Sequence, residues 1–296
     1  MWLPQGNSRN PTVQTLHFLD SSVARKYLGC SSGYRNYLSS CLDHEHLYVS
    51  AFVQMELRRS FLLNVIAFYF LLRQPDVKTL SDALHIWSNR FKTSEAKAVL
   101  QLVAEMARAW RSEGMPPPSK SKVIQQLGLY IVRIEGKIRM GFKNTGVDRS
   151  RCERARILLQ NDLADLPSRL KQFADAFEDV AGCRAKCKID AMILTQHQSR
   201  VRDFITHAAG LPSNAETSGY KSVSQNLGEI MSKGASACSC SRCGRIGDAV
   251  IALDSPRAMQ LEHVDKSFNQ LCARVRQPHR QLLSEQAVLS SHTPAS

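Results

Sequence analysis

Two short segments near opposite ends of the chain place an acidic residue where a predicted strand meets a predicted helix. In the first, FLDSS at 18–22, the apolar run 15–19 has the pattern of a buried strand, and Asp20 follows it directly. In the second, GDAVIA at 247–252, Asp248 opens an apolar helix. Strands that pass directly into helices are the building units of α/β folds, so these segments predict an α/β protein with a parallel sheet.

Two further acidic residues occupy similar positions. Glu56 lies in the segment MELRR, about one turn into the long helix predicted for 52–73, which follows a strand at 47–51. Asp265 follows the predicted strand 259–264. Acidic residues at the carboxyl ends of parallel strands, or early in the next helix, converge in the crevice of an open sheet.

Four converging carboxylates in a basic protein predict a site for Mg²⁺ or Mn²⁺ and chemistry on phosphates. Each residue also has a simpler interpretation when it is taken alone. Asp20, Asp248 and Asp265 are explained as helix caps or first-turn acids, and Glu56 as a solvated helix residue. The joint pattern of the four, in this order, favours the metal site.

In that order, the four segments resemble the PIN domain, a family of metal-dependent nucleases. The resemblance lies in Leu-Asp-Ser at 19–21, MELRR at 55–59, DAVIA at 248–252 and VDKSF at 264–268, and it covers roughly residues 14–75 and 244–275. Where the family carries Thr near its last Asp, this chain has Glu-His-Val at 262–264.

The resemblance implies that Asp20, Glu56, Asp248 and Asp265 bind Mg²⁺ or Mn²⁺, with Ser21 as a nearby polar helper. It implies a PIN-like parallel sheet flanked by helices and an endoribonuclease-like hydrolysis that leaves 5′-phosphate and 3′-hydroxyl ends. RNA is the substrate preferred by analogy, and a toxin-like member would have a protein inhibitor.

The chain is longer than such a fold needs, because 191 residues separate Glu56 from Asp248. We predict the first half of the nuclease core at 1–76, a mostly helical, basic insertion at 77–237, the cysteine cluster and second half of the core at 238–285, and a flexible tail at 286–296. Within the insertion we expect a helical stretch at 81–110, a strand at 131–134, one or two helices at 151–180 and an irregular segment at 208–237.

Charge favours a polyanion partner, since the net charge is +13. Over half of this excess lies between 111 and 156, which hold eleven Lys or Arg and four acidic residues. Lys137, Arg139 and Lys143 are therefore predicted substrate-binding residues, together with Ser21, which the resemblance implies; a solvated helix face explains any single Lys. We see neither a signal peptide nor an apolar run of the ~20 residues that a membrane helix needs, so we expect a cytoplasmic protein without a membrane partner.

Five cysteines form a second candidate metal site, for a structural Zn²⁺, at positions Cys183, Cys187, Cys238, Cys240 and Cys243. The alternative interpretation is that Cys183 and Cys187 are buried helix residues one turn apart. The cluster keeps two other functions open: a non-catalytic nucleic-acid-binding or scaffold protein with a structural zinc, and a zinc-dependent assembly module. The former is favoured if the parent shows no metal-dependent cleavage and Asp20→Asn behaves identically. One tightly held zinc with no affinity for RNA would favour the latter.

Overall fold

The computed structural model describes residues 15–29, 32–90, 93–116, 118–144, 154, 157–159, 165–179, 188–237 and 240–291. Its centre is a sheet of five strands in which every neighbouring pair is parallel. The strands, in the spatial order β3-β2-β1-β4-β5, are β1 His17–Leu19, β2 Leu47–Val49, β3 Lys143–Asn144, β4 Gln260–His263 and β5 His279–Gln281. The predicted α/β class with a parallel sheet is confirmed.

The central strand β1 joins the two ends of the chain. Phe18 lies opposite Tyr48 of β2 on one side and Leu261 of β4 on the other. Phe18 and Leu19 are completely buried, as expected for a strand covered on both faces by helices. The strands predicted near the two ends of the sequence are therefore neighbours in one sheet.

Buried polar groups tie β1 to the strands beyond it. Nδ1 of His17 lies 2.8 Å from Oε1 of Glu262. Arg280 of β5 donates to both oxygens of the same carboxylate, at 2.8 and 2.9 Å. Glu262, which departs from the PIN pattern, is thus a completely buried structural residue with partners on both neighbouring strands.

Helices flank this sheet on both sides and account for most of the chain. They are α1 Ser21–Gly29, α2 Ser32–Cys41, α3 Ala51–Arg58, α4 Asn64–Arg73, α5 Leu80–Arg90, α6 Thr93–Ser112, α7 Lys120–Met140, α8 Leu166–Glu178, α9 Ile189–Ala191, α10 Gln198–Ala209, α11 Ala215–Lys233, α12 Cys240–Arg245, α13 Gly247–Asp254, α14 Ser267–Val275 and α15 Glu285–Ser291. Short 3₁₀ turns lie at His44–His46 and Gly234–Ala237, and π-helical turns at Arg59–Leu63 and Met192–Gln196. No helix in the described ranges has the length and apolarity that crossing a membrane requires.

The predicted long helix at 52–73 is confirmed as α3 and α4 joined through the π-helical turn. Ser50 starts it, because its side chain accepts a hydrogen bond from the N–H of Val53. The helical stretch predicted at 81–110 is present as two helices, α5 and α6.

Two predictions inside the insertion are wrong. Residues 131–134 are expected to form a strand, and three of the four are β-branched, but they lie within α7, a helix of 21 residues capped by Ser119. Buried Val123, Leu127, Ile131, Ile134 and Ile138 follow one another at helical spacing, so packing decides the local structure against β propensity.

The segment 208–237, expected to be irregular because it is rich in Gly and Ser, contains the 19-residue helix α11. Asn214 and Thr217 form a reciprocal capping box that starts this helix. Leu227 and Ile230 are 1% exposed, so α11 also buries an apolar face. The predicted tail likewise begins as helix α15, in which Val288 is buried; residues 292–296 lie outside the described part. The domain boundaries remain a prediction.

The inserted helices pack in two places. The first group, α5 to α7, packs on α3 and α4, where Trp87 meets Phe68 edge to face and Arg58 donates from Nε to both oxygens of Glu135 at 3.1 and 3.0 Å. The second group, α10 and α11, packs on α14, beyond β4. This second group reaches the end of the sheet that carries the predicted carboxylates.

Candidate functional site

Asp20 is fixed at the carboxyl end of β1 by three contacts. Its N–H donates to the carbonyl of Glu262 at 3.0 Å, which extends the pairing with β4 by one residue. Its carboxylate accepts the Ser22 hydroxyl at 2.9 and 2.7 Å and the N–H of Val23 at 2.8 Å. Asp20 therefore does cap α1, as the simpler interpretation holds, and the same contacts fix where its carboxylate lies.

Asp265 lies two residues beyond β4, at the start of α14. Its carboxylate accepts the N–H of Ser267 at 2.9 Å, and its carbonyl oxygen lies 2.9 Å from Nδ1 of His263. The ring of His263 stacks on Phe268, and its Nε2 lies 3.2 Å from Nδ1 of His279. His263 thus positions the turn that carries Asp265.

Glu56 lies in α3 and meets the start of α13. Its side chain is hydrogen-bonded to Ser21, the predicted polar helper. A Cβ placed at Gly247 would lie only 3.0 Å from Oε1 of Glu56, so glycine at this position allows the carboxylate to approach α13. The adjacent residue along the chain is Asp248.

The four carboxylates share one electrostatic neighbourhood. Burial, reinforced by the charge of Asp248, raises the pKa of Asp20 to about 7 against the hydrogen bonds that it accepts. Burial, with the charges of Glu56 and Asp265, raises the pKa of Asp248 to about 6 although Asp248 keeps part of its surface in water. Burial also raises the pKa of Glu56, against the effect of Ser21. Folding therefore leaves negative charge at this end of the sheet without full compensation.

Carboxylate oxygens are the ligands that Mg²⁺ and Mn²⁺ prefer, and a cation would relieve this repulsion. By their chemistry the four residues fit such an ion. Among the described residues, however, no three His, Cys, Asp or Glu side chains are already grouped closely enough to hold a metal. Both Asp20 and Asp265 already accept hydrogen bonds from nearby donors: Asp20 from the Ser22 hydroxyl and the N–H of Val23, and Asp265 from the N–H of Ser267.

Three exposed arginines beside the carboxylates were not predicted from the sequence. Arg25 of α1 and Arg59, just after α3, both act on the pKa of Glu56. Arg245 lines a cavity together with Asp248. Arg59 had a detectable signal, because it follows Glu56 by one helical turn. Arg245 and Arg25 depend on tertiary packing and had none.

The predicted substrate-binding residues of α7 and β3 lie elsewhere. Lys137 lines a different cavity with Arg35 and with Tyr27 and Leu28 of α1. Leu28 lies roughly 12 Å along α1 from Asp20, given the helical rise. Arg139 is exposed near the end of α7, and Nζ of Lys143 lies 5.9 Å from the ring centre of Tyr48. The structure brings Ser21 to the carboxylates but places Lys137 at the other end of α1.

The cavity that includes Asp248 has a volume of about 260 Å³ and lies where α10, α11 and α14 meet the start of α13. It is lined by Phe204, Gly219, Tyr220, Ser222, Val223, Arg245, Asp248, Ser267 and Leu271. The Tyr220 hydroxyl donates to the carbonyl of Ser267 at 2.7 Å. Burial and the nearby charges of Asp265 and Asp248 raise the pKa of Tyr220.

The predicted zinc site falls largely on residues outside the described part of the chain. Cys183, Cys187 and Cys238 belong to those residues. Cys240 begins α12, and Cys243 lies in the same helix with its side chain half-buried. The zinc site therefore remains a prediction.

Comparison with protein-family models, with curated proteins and with solved structures finds no match to this chain. Fold class and site geometry are thus the basis for any functional assignment.

Proposed function

We propose that this protein is a divalent-metal-dependent nuclease of the PIN type that hydrolyses phosphodiester bonds, with RNA as the preferred substrate. The observation that carries the proposal is the electrostatic coupling of the four carboxylates. They come from separate parts of the sequence and lie at one end of a parallel sheet. The charge of Asp248 raises the pKa of Asp20, and the charges of Glu56 and Asp265 raise the pKa of Asp248. A basic chain gains nothing for stability from such a cluster, which favours a role in function.

Asp20, Glu56, Asp248 and Asp265 would hold the metal. When bound, Mg²⁺ or Mn²⁺ supplies a water that is more acidic and neutralises charge on the phosphate. The chain's own residues orient the site: Ser22 and the N–H of Val23 hold Asp20, Ser21 holds Glu56, and His263 positions the turn of Asp265.

The exposed arginines provide what a carboxylate site otherwise lacks. Four acidic residues repel a polyanion unless cations lie nearby. Arg25 and Arg59 lie near Glu56, and Arg245 lines a cavity with Asp248, so we expect them to contact the phosphates that flank the reacting bond. The basic surface of α7 extends the attraction over a longer range.

The test is cleavage of end-labelled single-stranded RNA with Mg²⁺ or Mn²⁺, with EDTA as the control. We expect metal-dependent products with 5′-phosphate and 3′-hydroxyl ends and slower cleavage of the matched DNA. Asp20→Asn should abolish cleavage and retain binding. Asp82→Asn, which changes a capping aspartate at the start of α5, should leave cleavage unchanged.

Two results would refute the proposal. One is the absence of metal-dependent cleavage by the parent protein, and the other is cleavage that Asp20→Asn does not alter. Binding without cleavage would instead favour the non-catalytic nucleic-acid-binding protein, and metal analysis would show whether it holds structural zinc.

A further inference from the structure

We propose that the cavity beside Asp248 binds one unpaired nucleobase of a single-stranded nucleic acid. The base-binding role rests on the cavity itself. The consequence that an adjacent phosphodiester then reaches the carboxylates rests on the proposed function.

The walls of the cavity suit a planar aromatic ring. Phe204, Val223 and Leu271 form an apolar surface, and Tyr220 adds a second aromatic ring that is only partly buried. Because the Tyr220 hydroxyl is bound to the carbonyl of Ser267, its ring is held in place before any ligand arrives. Stacking on aromatic side chains is the usual way in which proteins hold unpaired bases of any sequence.

The cavity also offers polar groups for the edge of a base and for its phosphate. The Ser222 side chain can donate and accept hydrogen bonds. Arg245 is exposed, lines the same cavity and carries the charge that a phosphate requires. The combination of an aromatic wall and an arginine matches a nucleotide better than an uncharged apolar ligand.

The size and position of the cavity further limit which ligands it can bind. A volume of about 260 Å³ is slightly below the ~300 Å³ at which pockets for drug-sized ligands begin, and it has room for one ring system. Asp248 belongs both to this wall and to the carboxylate cluster. A base paired in a duplex could not enter, which predicts a preference for single strands.

Gly219 provides a variant that fills the cavity without disturbing the fold. It lines the cavity within α11, and a Cβ added there meets no atom within 4 Å. Gly219→Leu should therefore occupy the space of the base. Gly228→Leu is the matched control, since a Cβ there is also unobstructed and nine residues, about two and a half helical turns, place it on the opposite side of α11.

Binding is measured by fluorescence anisotropy with a short labelled single-stranded RNA, the matched single-stranded DNA and the RNA duplex, all in EDTA so that no cleavage occurs. We expect Gly219→Leu to raise the Kd for single strands roughly tenfold, the effect of losing one base stack. Gly228→Leu should leave it unchanged. Thermal unfolding should show both variants at least as stable as the parent, because each replaces a glycine inside a helix.

Two further measurements separate base contacts from phosphate contacts. Tyr220→Phe, which keeps the ring but loses the hydrogen bond to Ser267, should weaken binding less than Tyr220→Ala, which removes the ring. Gly219→Leu should raise the Kd by the same factor at low and at high salt, because it removes a base contact. Arg245→Gln should make the Kd less dependent on salt concentration, because it removes a phosphate contact. The ratio of the Kd for single-stranded RNA to the Kd for single-stranded DNA shows which of the two nucleic acids the protein prefers.

Equal affinity of Gly219→Leu and Gly228→Leu for the single strand would overturn the inference, as would tighter binding of the duplex. This failure differs from that of the proposed function. If the parent cleaves RNA with metal but Gly219→Leu binds single strands as the parent does, only the inference about the cavity is refuted. If Gly219→Leu weakens binding but the parent shows no metal-dependent cleavage, only the proposed nuclease function is refuted.

Discussion

Replacing Asp20 by Asn should stabilise the metal-free protein above neutral pH. The pKa of Asp20 rises from 3.8 to about 7 on folding, because the carboxyl is buried and lies near Asp248. Each tenfold change in proton affinity corresponds to ~1.4 kcal/mol, so the ionised carboxylate destabilises the folded state by about 4 kcal/mol. Asparagine carries no charge, and its Oδ1 can still accept the hydrogen bond from Val23.

The dependence on pH has a defined sign. Because the folded state binds the Asp20 proton more tightly, the contribution of Asp20 to stability is most favourable below pH 3.8 and is lost as pH rises to about 7. The advantage of Asp20→Asn should therefore grow across this window and stay constant above it. Relaxation around the ionised carboxylate makes about 4 kcal/mol an upper bound.

Urea denaturation in EDTA across this pH range measures the difference between the two proteins. Asp82→Asn is the control of opposite sign. Hydrogen bonds from Thr79 lower the pKa of Asp82, so this variant should be less stable than the parent above pH 3.8, by an amount that stays constant up to pH 7. An Asp20→Asn protein that is less stable than the parent above pH 7, or a difference that does not vary with pH, would refute the reasoning.

Three further predictions concern stability. Glu135→Gln should cost about 3–5 kcal/mol in urea denaturation, because the completely buried Arg58 loses its counter-charge, and adding Arg58→Met should recover most of the loss. Gly136→Ala should stabilise α7 by about 0.5–1 kcal/mol, whereas Gly128→Ala should gain less or lose stability, since its new Cβ would lie 2.8 Å from a leucine methyl group. Burial and a neighbouring histidine lower the pKa of His263 on folding, so the parent should lose free energy of unfolding through this group as pH falls from 6.5 to about 4. In urea denaturation across this range, His263→Gln should lose less free energy of unfolding than the parent does.

The parts of the fold that the sequence predicts are those that local chemistry determines. β1 and Asp20 are recognisable because an apolar run ends at an acidic residue followed by two serines, one of which binds that residue. Glu56 is recognisable because it lies early in a strongly apolar helix. Asp20 and Glu56 come close to Asp248 and Asp265 because β1 pairs in parallel with β4, with His17 opposite Gln260. No local pattern predicts this pairing; only the joint pattern of the four acidic segments indicates it.

The parts that could not be predicted depend on contacts between distant segments. Helix α11 contains Gly219 and Gly228, which argue against a helix locally, yet burial of its apolar face overrides them. Strand β3 has two residues and exists only because β2 lies beside it. The cavity beside Asp248 takes its walls from five separate helices, α10 to α14, so no local pattern indicates it.

The most direct test of the carboxylate site is calorimetric titration of the metal-free protein with Mn²⁺ above pH 7. We predict saturable binding that weakens as pH falls below about 6, where Asp20 and Asp248 hold protons. Asp20→Asn should weaken it roughly tenfold or more, since it removes a charged ligand. Binding that Asp20→Asn leaves intact, or no binding at all, would contradict the assignment of these four residues to a metal site.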